Sequence, residues 1–227
     1  MISEIEDLYS IENVESEFNQ QSLIKLLTQS SRVTYEYRKL RKRTLIDPIL
    51  TNEIYFLTSG AIIATNEDFP TSVKKTDEFI GLDTIILQSE STISYRTIVE
   101  CEVIVFQKEE VLMELFSQQE GWLFLILEMQ QQNRLLMNRC FSMRGNSISR
   151  LSATFYELAT RFGTKQGDVY ILPKYFNKKF IAEYSGLSTS SVTKTEVVLK
   201  KEGLIEFSDK VYIVSLDRYN QLQNLFT

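Results

Sequence analysis

The chain has 227 residues, a net charge of −5, and apolar and charged fractions of 43% and 24%. It is long enough for one large domain or two ordinary ones, and too apolar for a disordered chain. It contains no histidine and two cysteines, Cys101 and Cys140. That excludes Ser-His-Asp and Cys-His nucleophiles, histidine-held zinc or non-haem iron, and a four-thiolate centre within one chain. Neither an enzyme nor a bound metal or cofactor is expected.

Met1–Tyr9 carries Glu4, Glu6 and Asp7 before any apolar run, unlike a secretory signal. The most apolar run, Trp122–Leu127, is far short of the roughly 20 residues that span a bilayer. A soluble cytoplasmic protein with no membrane partner is expected. Residues 2–30 read as mostly polar helix, with Leu23, Ile24, Leu26 and Leu27 as its buried stripe. From Val33 to Phe106 short β-rich runs recur between turns: Ile54–Leu57, Ala61–Ile63, Phe79–Ile80, Thr84–Leu87, Thr97–Val99 and Val103–Phe106. Such spacing predicts an antiparallel sandwich or barrel.

Helix follows, first over Lys108–Phe116 and then, past Gly121, over Trp122–Met143. Trp122, Ile126, Met129, Asn133, Leu136, Cys140 and Met143 recur at alternating spacings of four and three. This is a coiled-coil seam, with Asn133 as the single polar residue that fixes register. A homodimer through this helix is expected, against the alternative of a helix packed only on its own chain. Gly145, with φ above zero, is expected to end the helix, and Asn146 or Ser147 to cap the next one. That next helix should bury Ile148, Leu151, Phe155, Leu158 and Phe162.

Residues 176–214 form the pattern that points to function. Asn177 caps a short helix, Lys178–Tyr184. Ser185-Gly-Leu187 turns, and Ser188 caps a second helix, Thr189 to about Lys200, with Val192, Thr195, Val198 and Leu199 inward. Two short helices around a glycine turn make a helix-turn-helix, whose second helix is shaped for the major groove. Thr189, Ser190, Ser191 and Lys194 fall on its exposed face and suit hydrogen bonds to bases or phosphates. Leu204–Phe207 and Val211–Val214, joined by Ser208-Asp-Lys210, read as a hairpin wing. Residues 1–146 hold 14 basic and 22 acidic residues, residues 147–227 hold 11 and 8; this asymmetry suits a nucleic-acid-facing C-terminal part.

Ile181–Lys194 and Leu199–Ile205 resemble, without a gap, the helix-turn-helix of the CRP/FNR transcription regulators. Weaker similarity covers most of the chain. Ile54–Gly60 is similar to that family's strand and glycine turn, Phe79-Ile-Gly-Leu82 to its FIGE pocket segment, and Cys101-Glu-Val103 to the strand entering the dimer helix. The resemblance implies an α+β chain in the order already read. An N-terminal cyclic-nucleotide-binding-like β jelly roll is expected over 1–120, a dimerisation helix over 121–145, and a C-terminal winged helix-turn-helix over 146–227. It also implies a homodimer on double-stranded DNA at a palindromic promoter site, acting with RNA polymerase. Position-matching puts Thr189, Ser190 and Lys194 at base edges, and Lys178, Ser188, Ser191 and Lys210 at phosphates.

The departures narrow the effector. Leu82 stands where cyclic-nucleotide-binding members place a carboxylate, and Ser91-Thr92 stands near their phosphate-binding Arg-Ser pair. A buried cyclic phosphate would lack a cation, so cyclic AMP is not the expected effector. Residues 1–100 lack the cysteines of iron–sulfur members, and the chain lacks the histidine common in haem members. A member with another small-molecule effector, or none, remains, and the chain resembles the PrfA-like branch. The alternative function is a sensing protein whose helix-turn-helix docks protein instead of DNA. The Arg38–Arg43 basic cluster reads as a solvated strand edge or as a contact for DNA or an acidic partner. Cys101 reads as a buried small hydrophobe, and Cys140 as seam packing or a thiol switch.

Overall fold

The computed structural model describes residues 10–67, 69–84 and 93–226. Ser91-Thr92 and the end of the Thr84–Leu87 run lie outside them. The chain divides into two compact units, Met1–Leu136 and Met137–Thr227.

The first unit opens with α1 (Ile11–Glu17) and α2 (Gln20–Gln29). The helical stretch expected as one is therefore two helices over its described part. The break comes at Phe18 and Asn19, where the Asn19 side chain accepts from the Ser22 amide at 2.9 Å and starts a new helix. Leu23, Ile24 and Leu27 are buried as expected, while Leu26 is half-buried.

The β region follows as β1 (Tyr35–Leu40), β2 (Leu45–Ile46), the short α3 (Pro48–Thr51), β3 (Glu53–Ser59), β4 (Ile62–Asn66), β5 (Phe69–Lys74), β6 (Phe79–Ile80), β7 (Ile93–Thr97) and β8 (Cys101–Gln107). These strands make two antiparallel four-stranded sheets, ordered β1-β8-β3-β6 and β2-β7-β4-β5. Continuous apolar runs such as Ile54–Leu57 and Val103–Phe106 arise because the first sheet is covered on both faces. Tyr55, Leu57, Cys101, Val103 and Val105 pack between the sheets. Ile54, Phe56, Ile104 and Phe106 face a second core with Leu23 and Leu27, joined by Val111 and Leu115 of α4 (Lys108–Ser117).

The long helix α5 runs over Trp122–Met143, as the periodicity predicts. Leu123 and Leu125 are buried in the first unit, and so is Glu128. The Glu128 carboxylate accepts from the Lys74 ammonium at 3.0 Å, with both side chains 3% exposed. It also accepts from Gln20 and, at 2.9 Å, from Gln132. The Gln20 side-chain oxygen accepts in turn from the Phe79 amide. Burial works against the Lys74 charge, but the carboxylates of Glu128, Glu78 and Asp83 outweigh it and hold its pKa above the ordinary value.

The second unit holds α6 (Ser147–Phe162), β9 (Thr164–Gln166), β10 (Val169–Ile171), α7 (Lys178–Ser185), α8 (Thr189–Lys201), β11 (Ile205–Ser208), β12 (Val211–Ser215) and α9 (Leu216–Phe226). Asn146 caps α6 by accepting from the Ser149 amide at 3.0 Å. Gly145 departs from expectation, since it is not among the left-handed glycines. What favours glycine there is space, because a Cβ would lie 2.8 Å from that of Ser149. Leu151, Phe155 and Leu158 are fully buried, whereas Ile148 and Phe162 at the ends of the helix are half-buried. The expected hairpin belongs to a larger sheet, ordered β11-β12-β10-β9. At its turn Asp209 and Lys210 both take positive φ, the backbone of a two-residue turn whose twist matches the flanking strands.

Candidate nucleic-acid interface

The helix-turn-helix is built by its caps. Asn177 accepts from the Phe180 amide at 3.1 Å and Ser188 from the Ser191 amide at 3.1 Å. Between the two helices, Gly186 takes φ 61°. The Gly186 amide donates to Glu183 and the Leu187 amide to Ala182. This pair of bonds closes a helix end and requires a left-handed residue, which glycine supplies without strain.

Helix α8 has two faces. Val192, Thr195, Glu196 and Leu199 are buried against the rest of the unit. Thr189, Ser190 and Lys194 are exposed, as the sequence predicts, and Thr193 and Val197 share their stripe. Val198, expected inward, is exposed instead. At that point in the helix the inward direction has passed to Glu196 and Leu199. Ser188 and Lys210 are exposed, and Ser191 is half-buried with its hydroxyl 2.9 Å from that of Ser188.

Glu196 is the residue that periodicity missed. It is 4% exposed and is held from two neighbouring elements. Its carboxylate pairs with the Lys178 ammonium at 2.7 Å and accepts from the Tyr212 hydroxyl. Burial, and then Glu196, push the Tyr212 phenol far above its ordinary pKa. The acid thus ties α8 to α7 and to β12. A lone acid within an amphipathic helix reads in sequence as a surface residue, so only three-dimensional context reveals it. Lys178 is engaged in this pair, with its ammonium also 3.4 Å from the Thr193 hydroxyl.

The expected seam residues Trp122, Ile126, Met129 and Leu136 are 39–47% exposed. Asn133 and Cys140 are exposed as well, and Met143 is half-buried. Met137 and Phe141 extend this apolar surface; strict heptad spacing does not select them. A cavity of about 230 Å³ lies in the first unit beside Met129, Asn133 and Leu136, with Asp83 and Tyr95 in its wall. The Tyr95 hydroxyl donates to Asp83 at 3.4 Å. Leu82 points away into the helix-side core. Among the described residues lining this cavity none is a lysine or arginine.

In the basic cluster, Arg38 bonds Glu36 and Glu53, and Lys39 pairs with Glu102 at 2.7 Å. Both sit on β1, an outer strand of its sheet. Arg41, Lys42 and Arg43 are exposed in the following turn. Among the described residues no cluster of three metal-ligating side chains occurs, and no helix is long and apolar enough to cross a membrane.

No protein-family model and no curated protein matches the sequence. Solved structures do match. The chain is similar to FixK2 from Bradyrhizobium japonicum at 17% identity and a TM-score of 0.69, over 85% of this chain and 97% of that one. A cyclic-nucleotide-binding-domain protein from Listeria monocytogenes aligns at 16% identity and a TM-score of 0.70, over 87% and 97%. A CRP/FNR-family transcriptional regulator from Thermus thermophilus aligns at 15% identity and 0.62, over 82% and 97%. Two-sheet roll, long helix and helix-turn-helix follow one another in this chain as its sequence resemblance implied, and the fold is that of the CRP/FNR transcription regulators.

Proposed function

We propose that the chain is a member of the CRP/FNR family, a homodimeric regulator of transcription that reads an inverted repeat in the major groove. The observation that carries this reading is α8 itself. The N-terminal part of its exposed stripe, Thr189, Ser190, Thr193 and Lys194, is polar, while its buried stripe is fastened to the unit by Leu199, Val192 and Glu196. In this reading residues 1–120 form the effector-type domain, 121–145 the dimerisation helix and 146–227 the DNA-binding domain. Two copies join along the exposed apolar stripe of α5. Their α8 helices then meet half-sites about one helical turn, roughly 34 Å, apart.

Thr189, Ser190 and Lys194 read base edges, with Lys194 as the candidate guanine contact. Ser188, Ser191 and Lys210 hold phosphates and set register. Lys178 joins them only by leaving or sharing Glu196, so its part is to hold α8 in place. An effector occupies the cavity beside α5. With Asp83 in the wall, that effector is not a cyclic phosphate.

The test is affinity for specific and scrambled duplexes at several salt concentrations. Lys194→Ala should cost about 1–3 kcal/mol per half-site and relax preference at one base pair, while Lys210→Ala should weaken all sequences alike and lower the salt slope by about one for each phosphate left unneutralised. Binding indifferent to salt, or absent with every duplex, refutes the DNA reading and leaves protein docking by the same helices.

A further inference from the structure

The last carbonyls of a helix have no partners within it and form the negative end of its dipole. At the end of α7 three consecutive carbonyls are taken by arginines from other helices. Arg139 of α5 donates from Nη2 to the Tyr184 carbonyl. Arg150 of α6 donates from Nη2 to the Ser185 and Gly186 carbonyls, at 2.8 Å each. These three carbonyls begin the turn that launches α8.

Arg139 is 3% exposed, and its guanidinium lies 3.8 Å from the centre of the Tyr184 ring. Burial lowers its pKa, against the pull of Tyr184 and Glu157. Tyr184 is itself fixed from its other end, since its hydroxyl donates to Glu157 of α6 at 2.7 Å. A methionine at position 139 would fill the same volume without stripping water from a charge. What the guanidinium adds is a directed bond from the long helix to the turn. Gly186 leaves room for the second arginine, because a Cβ there would lie 2.5 Å from the Arg150 Nη2.

We infer that Arg139 is a positioning residue for DNA reading: with Arg150 it clamps the turn, so that the aim of Thr189, Ser190 and Lys194 follows the C-terminal end of the long helix. This rests on the reading of α8 given above. A rotation of α5 reaches α8 through these bonds, because they hold backbone and not a mobile side chain. The clamp ties the C-terminal end of α5 directly to the turn that precedes the helix of the readers.

The test uses the full chain with Arg139→Gln and Arg139→Lys. Amide hydrogen exchange in the DNA-free protein should rise roughly tenfold, the equivalent of about 1.4 kcal/mol, over Leu187–Ser191 in the Gln variant. Exchange in β3 and β8 should not change. Affinity for the specific duplex should fall by a similar factor, with scrambled duplex unaffected, and Lys should restore most of it. Unchanged exchange overturns the clamp. Faster exchange with unchanged specific affinity overturns its positioning role, as does an equal loss on both duplexes. If the parent protein binds no DNA, the DNA reading fails, and exchange alone decides the clamp. Should Arg139→Gln not fold, Arg150→Gln, at a half-buried site, carries the same expectations.

Discussion

Lys74 and Glu128 meet where neither can be replaced alone. Both are 3% exposed, and Glu128 is also the acceptor for Gln20 and Gln132. Lys74→Met should therefore destabilise the chain by about 3–5 kcal/mol, because it leaves a buried carboxylate without its cation. The double change Lys74→Met with Glu128→Leu should recover much of that loss. Urea denaturation of the three variants checks both, and additive losses would show that the two residues do not act as a pair. The two thiols differ as sharply. Burial raises the Cys101 pKa, whereas Cys140 is exposed. A thiolate is the reactive form, so a maleimide should spare Cys101 until the chain unfolds, and should label Cys140 fully only where the proposed dimer is dissociated. Mass spectrometry of tryptic peptides reads the outcome.

At the scale of elements, α5 shows what periodicity can and cannot deliver. Its bounds and its exposed stripe were legible because a four-three repeat held over three heptads fits a helix and neither a strand nor a loop. Leu136→Lys would place a charge beside its symmetry mate in the proposed dimer, and should convert dimer to monomer in sedimentation. A variant that sediments as a full dimer would place the interface elsewhere. The turn at Ser185–Leu187 and both caps around it were legible too, since Asn, Gly and Ser act there by local chemistry. Other elements left little trace. β5 contains Pro70, which argues against a strand except at an edge, and β5 is an edge strand whose pairing with β4 shifts register between Ala64 and Thr65 of β4. β9 is three exposed residues, Thr164–Gln166, with no buried face to impose a period of two. Glu196 and Arg139 were illegible for a third reason. A charged residue reads as solvent-facing, and only distant partners such as Tyr212 and Tyr184 make its burial tolerable.

At the scale of the molecule, the acidic N-terminal part and basic C-terminal part give the chain a polarity that a single net charge conceals. The cavity carries the same sign as its domain, with Asp83 in the wall and no lysine or arginine among its described lining residues. Cyclic AMP should not bind. Isothermal calorimetry giving micromolar affinity at one nucleotide per chain would overturn this. The order of the domains was legible from texture alone, as β runs gave way to heptads and then to capped short helices. The lining of the cavity was not, because its wall is assembled from residues far apart in the chain, on β4, β5, β7 and α5.

The division of α8 into a fastened face and a free one also bears on how such a protein changes over time. Thr189 and Lys194 carry none of the packing that holds the helix, which falls to Val192, Thr195, Glu196 and Leu199. Substitutions on the free face leave stability almost untouched. The face that the proposed readers occupy can thus be rewritten one exposed residue at a time, with the scaffold unchanged beneath it.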